Sequence, residues 1–250
     1  MTLEQVALLV AGGFFAGLMN VIVGGGSLIS IPLLILLGLS SQVAVATNRL
    51  AIIVLSTTGA IKYYQQGKVD LRLSWPLAIC AAIGSCFGAW LVLAVNEAVL
   101  KKVIAILMLA LLGVMLLRID AGLKDRAAAP TRKVAALSWL LTFVLGIYGG
   151  FYGAGVSTFL MFVLVLLHGM SFVASAGTTQ VITLSLSILS AGIFAWAGKI
   201  NYWAGVPLAL AMGVGAWFGA QLAVKAGNVW IRRGFCVVVI ILAVKLLLPK

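Results

Sequence analysis

What most constrains this chain is how often it runs through some twenty residues that are almost all apolar. Eight stretches reach or approach that length: Gln5–Val23, Val43–Ile61, Leu73–Val95, Val99–Leu117, Val134–Tyr148, Phe172–Ala197, Trp203–Val224 and Val229–Leu248. A helix of about 20 residues is what a bilayer core of about 30 Å requires. Two further runs, Leu28–Leu39 and Val156–Leu167, are too short to span as straight helices. Lipid offers backbone groups no hydrogen-bonding partner, so spanning segments must be helices or closed barrels. A barrel needs polar lumen-facing residues at every second position, and these runs lack them.

Composition agrees. The chain is 64% hydrophobic and 9% charged, against about 45–50% and about 25% in soluble domains. The opening MTLEQVALLV has no basic leader and no small-residue cleavage site, so its apolar run is expected to belong to the mature protein. Cys80, Cys86 and Cys236 all fall inside apolar segments without CxxC spacing, which makes them small buried hydrophobes rather than metal or redox groups. The net charge of +12 sits mainly in short connections between apolar runs. That is where membrane topology puts lysine and arginine, and no nucleic-acid partner is implied.

The sequence repeats itself. At one constant offset Thr47 pairs with Thr178, Ser56 with Ser187, Gly67-Lys68 with Gly198-Lys199, Pro76 with Pro207, Gly84 with Gly215 and Gly88-Ala89 with Gly219-Ala220. Upstream, at an offset two residues shorter, Gly17, Gly24 and Gly26 pair with Gly146, Gly153 and Gly155. Matched proline and Gly-Lys pairs in one register point to a duplication. The expected organisation is a first transmembrane repeat over 1–118, a basic linker over 119–133 containing Ala127-Ala128-Ala129-Pro130, and a second repeat over 134–250.

Each half then holds five apolar segments. If all five cross, the second half is inverted relative to the first. With the linker in the cytoplasm, eleven lysines and arginines lie inside against five outside. If the first two segments form a single broken span, the halves are parallel and the tally is again eleven to five. Positive-inside counting does not choose between them. Inversion is the expected arrangement by analogy, because inverted repeats with interrupted helices recur among transporters. The expected fold is an all-α integral membrane protein of two homologous, inverted repeats, with 8–10 hydrophobic segments and glycine-broken helices.

The interruptions point to a site. Gly24-Gly25-Gly26-Ser27 breaks the first apolar stretch, and Gly149-Gly150-Phe151-Tyr152-Gly153-Ala154-Gly155 breaks its counterpart. Non-helical backbone at membrane depth is tolerated only inside protein or beside a wet cavity. A helix starting after such a break aims free N–H groups and the positive end of its dipole at that place, which suits an anion. Close helix packing is the alternative use of glycine, and it is the expected one for Gly84, Gly88, Gly215 and Gly219.

The third segment of each half adds side chains. Thr47, Asn48 and Arg49 open one, and Thr178, Thr179 and Gln180 open the other; Thr179, Thr183 and Ser187 then recur at helical spacing on one face. An arginine within a span costs roughly 2.5–3.5 kcal/mol on insertion scales, which makes it a functional candidate. Its planar fork of donors suits an oxyanion. The competing reading is that Arg49 snorkels, since it lies about 9 Å of helix from the start of its segment.

The five acids, Glu4, Asp70, Glu97, Asp120 and Asp125, lie at segment ends or in connections, and His168 ends a short run. Cation carriers commonly place carboxylates or histidines in mid-span, so cation transport and a carboxylate proton relay are not expected. The sequence holds no nucleophile–base pair, metal-ligand cluster or phosphate loop, so neither an enzyme nor a cofactor is expected.

The stretch GFFAGLMNVIVGGGSLISIPLLILLGLSSQVAVATNRLA, its echo GIYGGFYGAGVSTFLMFVLVLLHGMSFVASAGTTQV, and a Gly-Lys element followed by proline in each half resemble the sulfite exporter TauE/SafE family over essentially the whole chain. The resemblance implies a duplicated helical transporter of sulfite, sulfoacetate or related organosulfonates in the cell membrane. By position, Gly24, Gly25, Gly26, Asn48 and Arg49 match the first motif, and Gly149, Gly150, Gly153, Gly155 and Thr178 to Gln180 match the second. The expected substrate site is Gly24, Gly25, Gly26, Ser27, Thr47, Asn48, Arg49, Gly153, Gly155, Thr178, Thr179 and Gln180. Its partners are a small anion and the lipid bilayer; the sequence sets no oligomeric state. A passive anion channel and a non-transporting membrane scaffold are the competing functions.

Overall fold

The computed structural model describes residues 3–100, 102–104, 106 and 131–225. Most of the Val99–Leu117 segment, the linker through Pro130, the Val229–Leu248 segment and Cys236 lie outside the described residues. Eight labelled helices carry the rest: α1 (Leu3–Val23), α2 (Ser27–Leu36), α3 (Ser41–Gln65), α4 (Leu71–Ala94), α5 (Arg132–Phe151), α6 (Val156–His168), α7 (Phe172–Trp196) and α8 (Tyr202–Lys225).

Polar residues just ahead of each apolar run start the helices. Ser40, Asp70, Thr131 and Ser171 accept from the amides of Val43, Leu73, Val134 and Ala174, and Asn201 Oδ1 accepts from Ala204 N at 3.1 Å. Each satisfies a donor that the first helical turn would otherwise orphan. Gly67, Gly169 and Gly198, with φ of 66°, 65° and 64°, supply the left-handed residue that closes α3, α6 and α7.

Six of the helices are long and apolar enough to cross a membrane. The other two, α2 and α6, have 10 and 13 residues and reach only about 15 and 20 Å at 1.5 Å per residue. The gap from α1 to α2 is Gly24–Gly26, and the gap from α5 to α6 is Tyr152–Gly155.

Cross-helix contacts give the directions. Thr47 of α3 meets Asn201 at the start of α8, Val54 meets Gly213, and Lys62 lies 4.1 Å over the Trp217 ring. Both numberings rise together, so α3 and α8 run parallel. Against α7 the order reverses: Tyr63 meets Gly177, while Gly59 meets Gln180. α3 and α7 are antiparallel. The pairings are matched across the chain, with α1 on α8 as α5 is on α4, and α3 on α8 as α7 is on α4.

Small residues allow these approaches. A Cβ on Gly17 would strike the Met212 backbone, and one on Gly215 the Phe14 carbonyl. Gly84 and Gly88 likewise abut the backbone of α5. Without a hydrophobic force between helices in lipid, such close packing is what holds them together.

The polarity of the bundle is inside out. Trp75, Ile79, Ile83, Phe87 and Trp90 form an exposed stripe along α4, and Trp203, Val206, Leu210, Val214 and Phe218 one along α8. Water would not tolerate apolar strips of this extent, but lipid does. The centre holds Asn20, Ser27, Ser30, Asn48, Arg49, Ser56, Thr179, Gln180, Thr183 and Ser187, all buried.

Candidate functional site

The two breaks adjoin. Gly24, with φ of 89°, lies so close to the first turn of α6 that a Cβ there would overlap the backbone at Ser157 and Thr158. Thr158 Oγ1 donates to the Val23 carbonyl at 2.6 Å, filling an acceptor left free at the end of α1. The start of one short helix therefore seals the end of the opposite long one.

Around the first break, Asn20 Oδ1 accepts from Gly26 N at 3.0 Å, and the Gly25 carbonyl accepts from Leu28 N at 2.9 Å. Asn48 reaches in from α3, donating to Ser27 Oγ at 3.0 Å and accepting from Ser30 Oγ at 2.6 Å. The first turn of α2 is thus pinned to the middle of α3.

Around the second break, Gly153 and Gly155 have φ of 76° and 73°, a region that side chains disfavour. Tyr148 Oη donates to the Ala154 carbonyl at 2.6 Å, which holds the loop against α5. Ser157 Oγ lies 3.4 Å from Thr183 Oγ1, linking the first turn of α6 to α7.

Arg49 joins the two halves. Its guanidinium donates to the Gly149 carbonyl and packs on Gly153, where any Cβ would overlap it. Only 1% of the residue is exposed, so it does not snorkel. Its Nε lacks a hydrogen-bond partner, and among the described residues it forms no ion pair with a carboxylate. Gln180, its counterpart in the repeat, is fully buried on α7 with both Nε2 and Oε1 unpartnered. Thr179 Oγ1 is also buried without a partner.

Thr47 and Thr178 are engaged elsewhere. Thr47 Oγ1 accepts from Asn201 N at 3.0 Å, and Thr178 Oγ1 accepts from Asp70 N at 3.1 Å. Each fastens the residue that caps α8 or α4, so these hydroxyls hold helix starts in place. The structure sets Arg49 against Gly153 and Gly24 against the first turn of α6, and it keeps the two threonines on loop duty.

Sequence reasoning passed over Asn20, which closes the first break, and Tyr148, which closes the second. The signal for Asn20 was an amide in the last turn of an apolar segment, four residues ahead of the glycine run. His168 lies at the far end of α6, where its Nε2 is 2.8 Å from Ser138 Oγ. That hydroxyl also donates to the Val134 carbonyl at 2.6 Å.

Lipid-facing apolar stripes around a buried polar centre, carried by six bilayer-length helices, define a multi-pass membrane protein. The sulfite exporter TauE/SafE family matches residues 9–246. Among similar proteins, the "Probable membrane transporter protein ORF9" of Sinorhizobium sp is 29% identical over 241 residues, covering 96% of this chain and 92% of that one. A "Probable membrane transporter protein" of Haemophilus influenzae is 28% identical over 230 residues, 92% of this chain and 89% of that one. The "Probable membrane transporter protein YfcA" of Escherichia coli K12 is 28% identical over 234 residues, 93% of this chain and 86% of that one. No solved structure matches. The chain belongs to the sulfite exporter TauE/SafE family and is a membrane transporter.

Proposed function

We propose that this protein carries a small sulfur oxyanion, sulfite or an organosulfonate such as sulfoacetate, across the cell membrane. The anion is held between Arg49 and the start of α6, where the two breaks meet. The observation that supports this is the state of Arg49: buried, with one carbonyl partner, an unpartnered Nε and no ion pair with a carboxylate among the described residues. A buried ion without an opposite charge is costly, and an arriving oxyanion removes that cost. The guanidinium fork pairs two oxygens at once, while the N-terminal end of α6 adds the positive pole of a helix dipole.

The antiparallel course of α3 and α7 supports an inverted pair of halves. The breaks and the glycines at positive φ give the backbone room to re-form as the site opens to one side or the other.

The test is uptake into vesicles containing the purified protein. Saturable uptake of sulfite or sulfoacetate, trans-stimulated by the same anion, is the expected result. Linear uptake without trans-stimulation would establish a channel, and no uptake of any sulfur oxyanion would overturn the substrate reading.

A further inference from the structure

Four buried polar side chains form a file between α3 and α7. On α3, Arg49, Ile52, Ser56, Gly59 and Tyr63 recur at spacings of three and four and share one face. Gly59 and Tyr63 touch α7, at Gln180 and Gly177, so this face is the one turned to α7. On α7, Gly177, Gln180 and Ser187 share the opposing face, at spacings of three and seven.

The antiparallel register sets the levels. Gln180 stands at Gly59, ten residues or about 15 Å of helix from Arg49. Ser187 lies about 10 Å along α7 from Gln180, on the Arg49 side, and Ser56 falls between them. The order along the seam is Arg49, Ser187, Ser56, Gln180. Ser56 Oγ, Ser187 Oγ and both ends of the Gln180 amide are buried without a hydrogen-bond partner, and all three residues are 0% exposed.

Orphaned polar groups are rare inside proteins, because each forfeits its hydration for nothing. Here they fall in sequence along one helix–helix seam, and that sequence begins at the anion's arginine. Ser190, further along α7, closes its hydroxyl on its own helix at the Leu186 carbonyl, 2.8 Å away. Ser56 and Ser187 do not.

We propose that the α3–α7 seam is the translocation route, with Ser187, Ser56 and Gln180 acting in turn as uncharged subsites for the anion after it leaves Arg49. This rests on the anion-carrier reading above. Conduction requires sites that attract the ion strongly enough to enter and weakly enough to release it. Hydroxyls and a carboxamide meet that need, since they donate to an oxyanion without holding it as an arginine does. Tyr63, whose hydroxyl donates to the Val21 carbonyl at 2.8 Å, closes the far end of the file against α1.

Two measurements test the route. In a chain with Cys80, Cys86 and Cys236 replaced by alanine, Ser56→Cys and Ser187→Cys should react with the anionic thiol reagent sulfonatoethyl methanethiosulfonate during turnover. The reaction should stop sulfoacetate uptake. Ile188→Cys, beside Ser187 but half-exposed to lipid, should not react. Second, Ser56→Ala with Ser187→Ala should lower uptake by about tenfold, the worth of a lost hydrogen bond to a charged group, without lowering the melting temperature. A merely structural role predicts a lowered melting temperature at normal uptake, and that overturns the route. Absence of labelling at both cysteines in a protein that still transports sulfoacetate also overturns it, while leaving the Arg49 site standing. If wild-type vesicles take up no sulfur oxyanion at all, the carrier reading falls first and the route falls with it.

Discussion

The guanidinium of Arg49 donates to the main-chain carbonyl of Gly149, a residue one hundred positions away in the other half of the chain. Gly149 lies in the last turn of α5, where carbonyls have no partner within the helix. A cation there also faces the negative end of the helix dipole. This contact gives Arg49 a resting partner while leaving most of its five donors for something else. It also ties the charged helix to the break that would have to move, so anion binding and loop conformation act on the same atoms.

Gly153 should be intolerant of any side chain. Its φ of 76° and the guanidinium against it both exclude a Cβ. Forcing an L-residue into that region costs about 1–2 kcal/mol, and the collision would displace Arg49. Gly153→Ala is expected to insert but to lose nearly all uptake. Gly192→Ala, where a Cβ meets nothing within 4 Å, should transport normally and gain about 0.5–1 kcal/mol of stability. Equal activity in the two variants, measured at matched expression, would place the site elsewhere.

The threonine latches should separate stability from transport. Thr47→Val and Thr178→Val keep the shape but abandon the amides of Asn201 and Asp70. Each is expected to cost about 1 kcal/mol and to lower the melting temperature with little change in KM for the anion. Thr179→Val removes a hydroxyl that bonds to nothing and should leave the melting temperature where it was. A large KM change in the two latch variants would return those threonines to the binding site.

The parts legible in the sequence are those that stand out against apolar monotony. Arg49 is the one ionised residue deep in an early run, and two glycine clusters at equivalent places mark breaks whatever the surroundings. The helix starts were also readable, because Ser40, Asp70, Thr131 and Ser171 are local signals acting within three residues. What sequence could not supply was the far partner of each polar group. Thr47 and Asn48 are neighbours in the chain, yet one hydroxyl turns to α8 and the other side chain turns to α2. Their difference lies in helix rotation and tertiary register, which periodicity alone leaves open when a segment is apolar on every face. Likewise the eleven-to-five charge tally was the same for both topologies, whereas the reversed order of contacts between α3 and α7 is tertiary information that no charge count carries.

Topology follows from that reversal. Lys68 and Lys199 hold equivalent places after α3 and α7, and antiparallel helices put their ends on opposite sides. In a cysteine-free background, Lys68→Cys and Lys199→Cys should be labelled by a membrane-impermeant maleimide from opposite faces of the membrane. Labelling from one face alone would require the halves to be parallel.

The charge at position 49 should be dispensable for folding and indispensable for transport. Arg49→Gln installs the side chain already present at Gln180, in a buried setting that accepts a neutral amide. Removing a buried, poorly compensated ion is often neutral or stabilising, so the melting temperature of the anion-free protein should hold or rise. Anion affinity should fall by about 10- to 100-fold, since hydrogen bonds to charged groups are worth about 1.5–3 kcal/mol. Arg49→Lys keeps the charge but replaces the planar fork with a point cation, and it should fall between the wild type and the glutamine variant. The readouts are uptake of sulfoacetate into vesicles and the anion-dependent rise in melting temperature, which reports binding to the folded state. Wild-type uptake and an unchanged anion-dependent rise in Arg49→Gln, with a markedly lower melting temperature, would make Arg49 a cap on the end of α5 and leave the anion to the helix dipole and the hydroxyls.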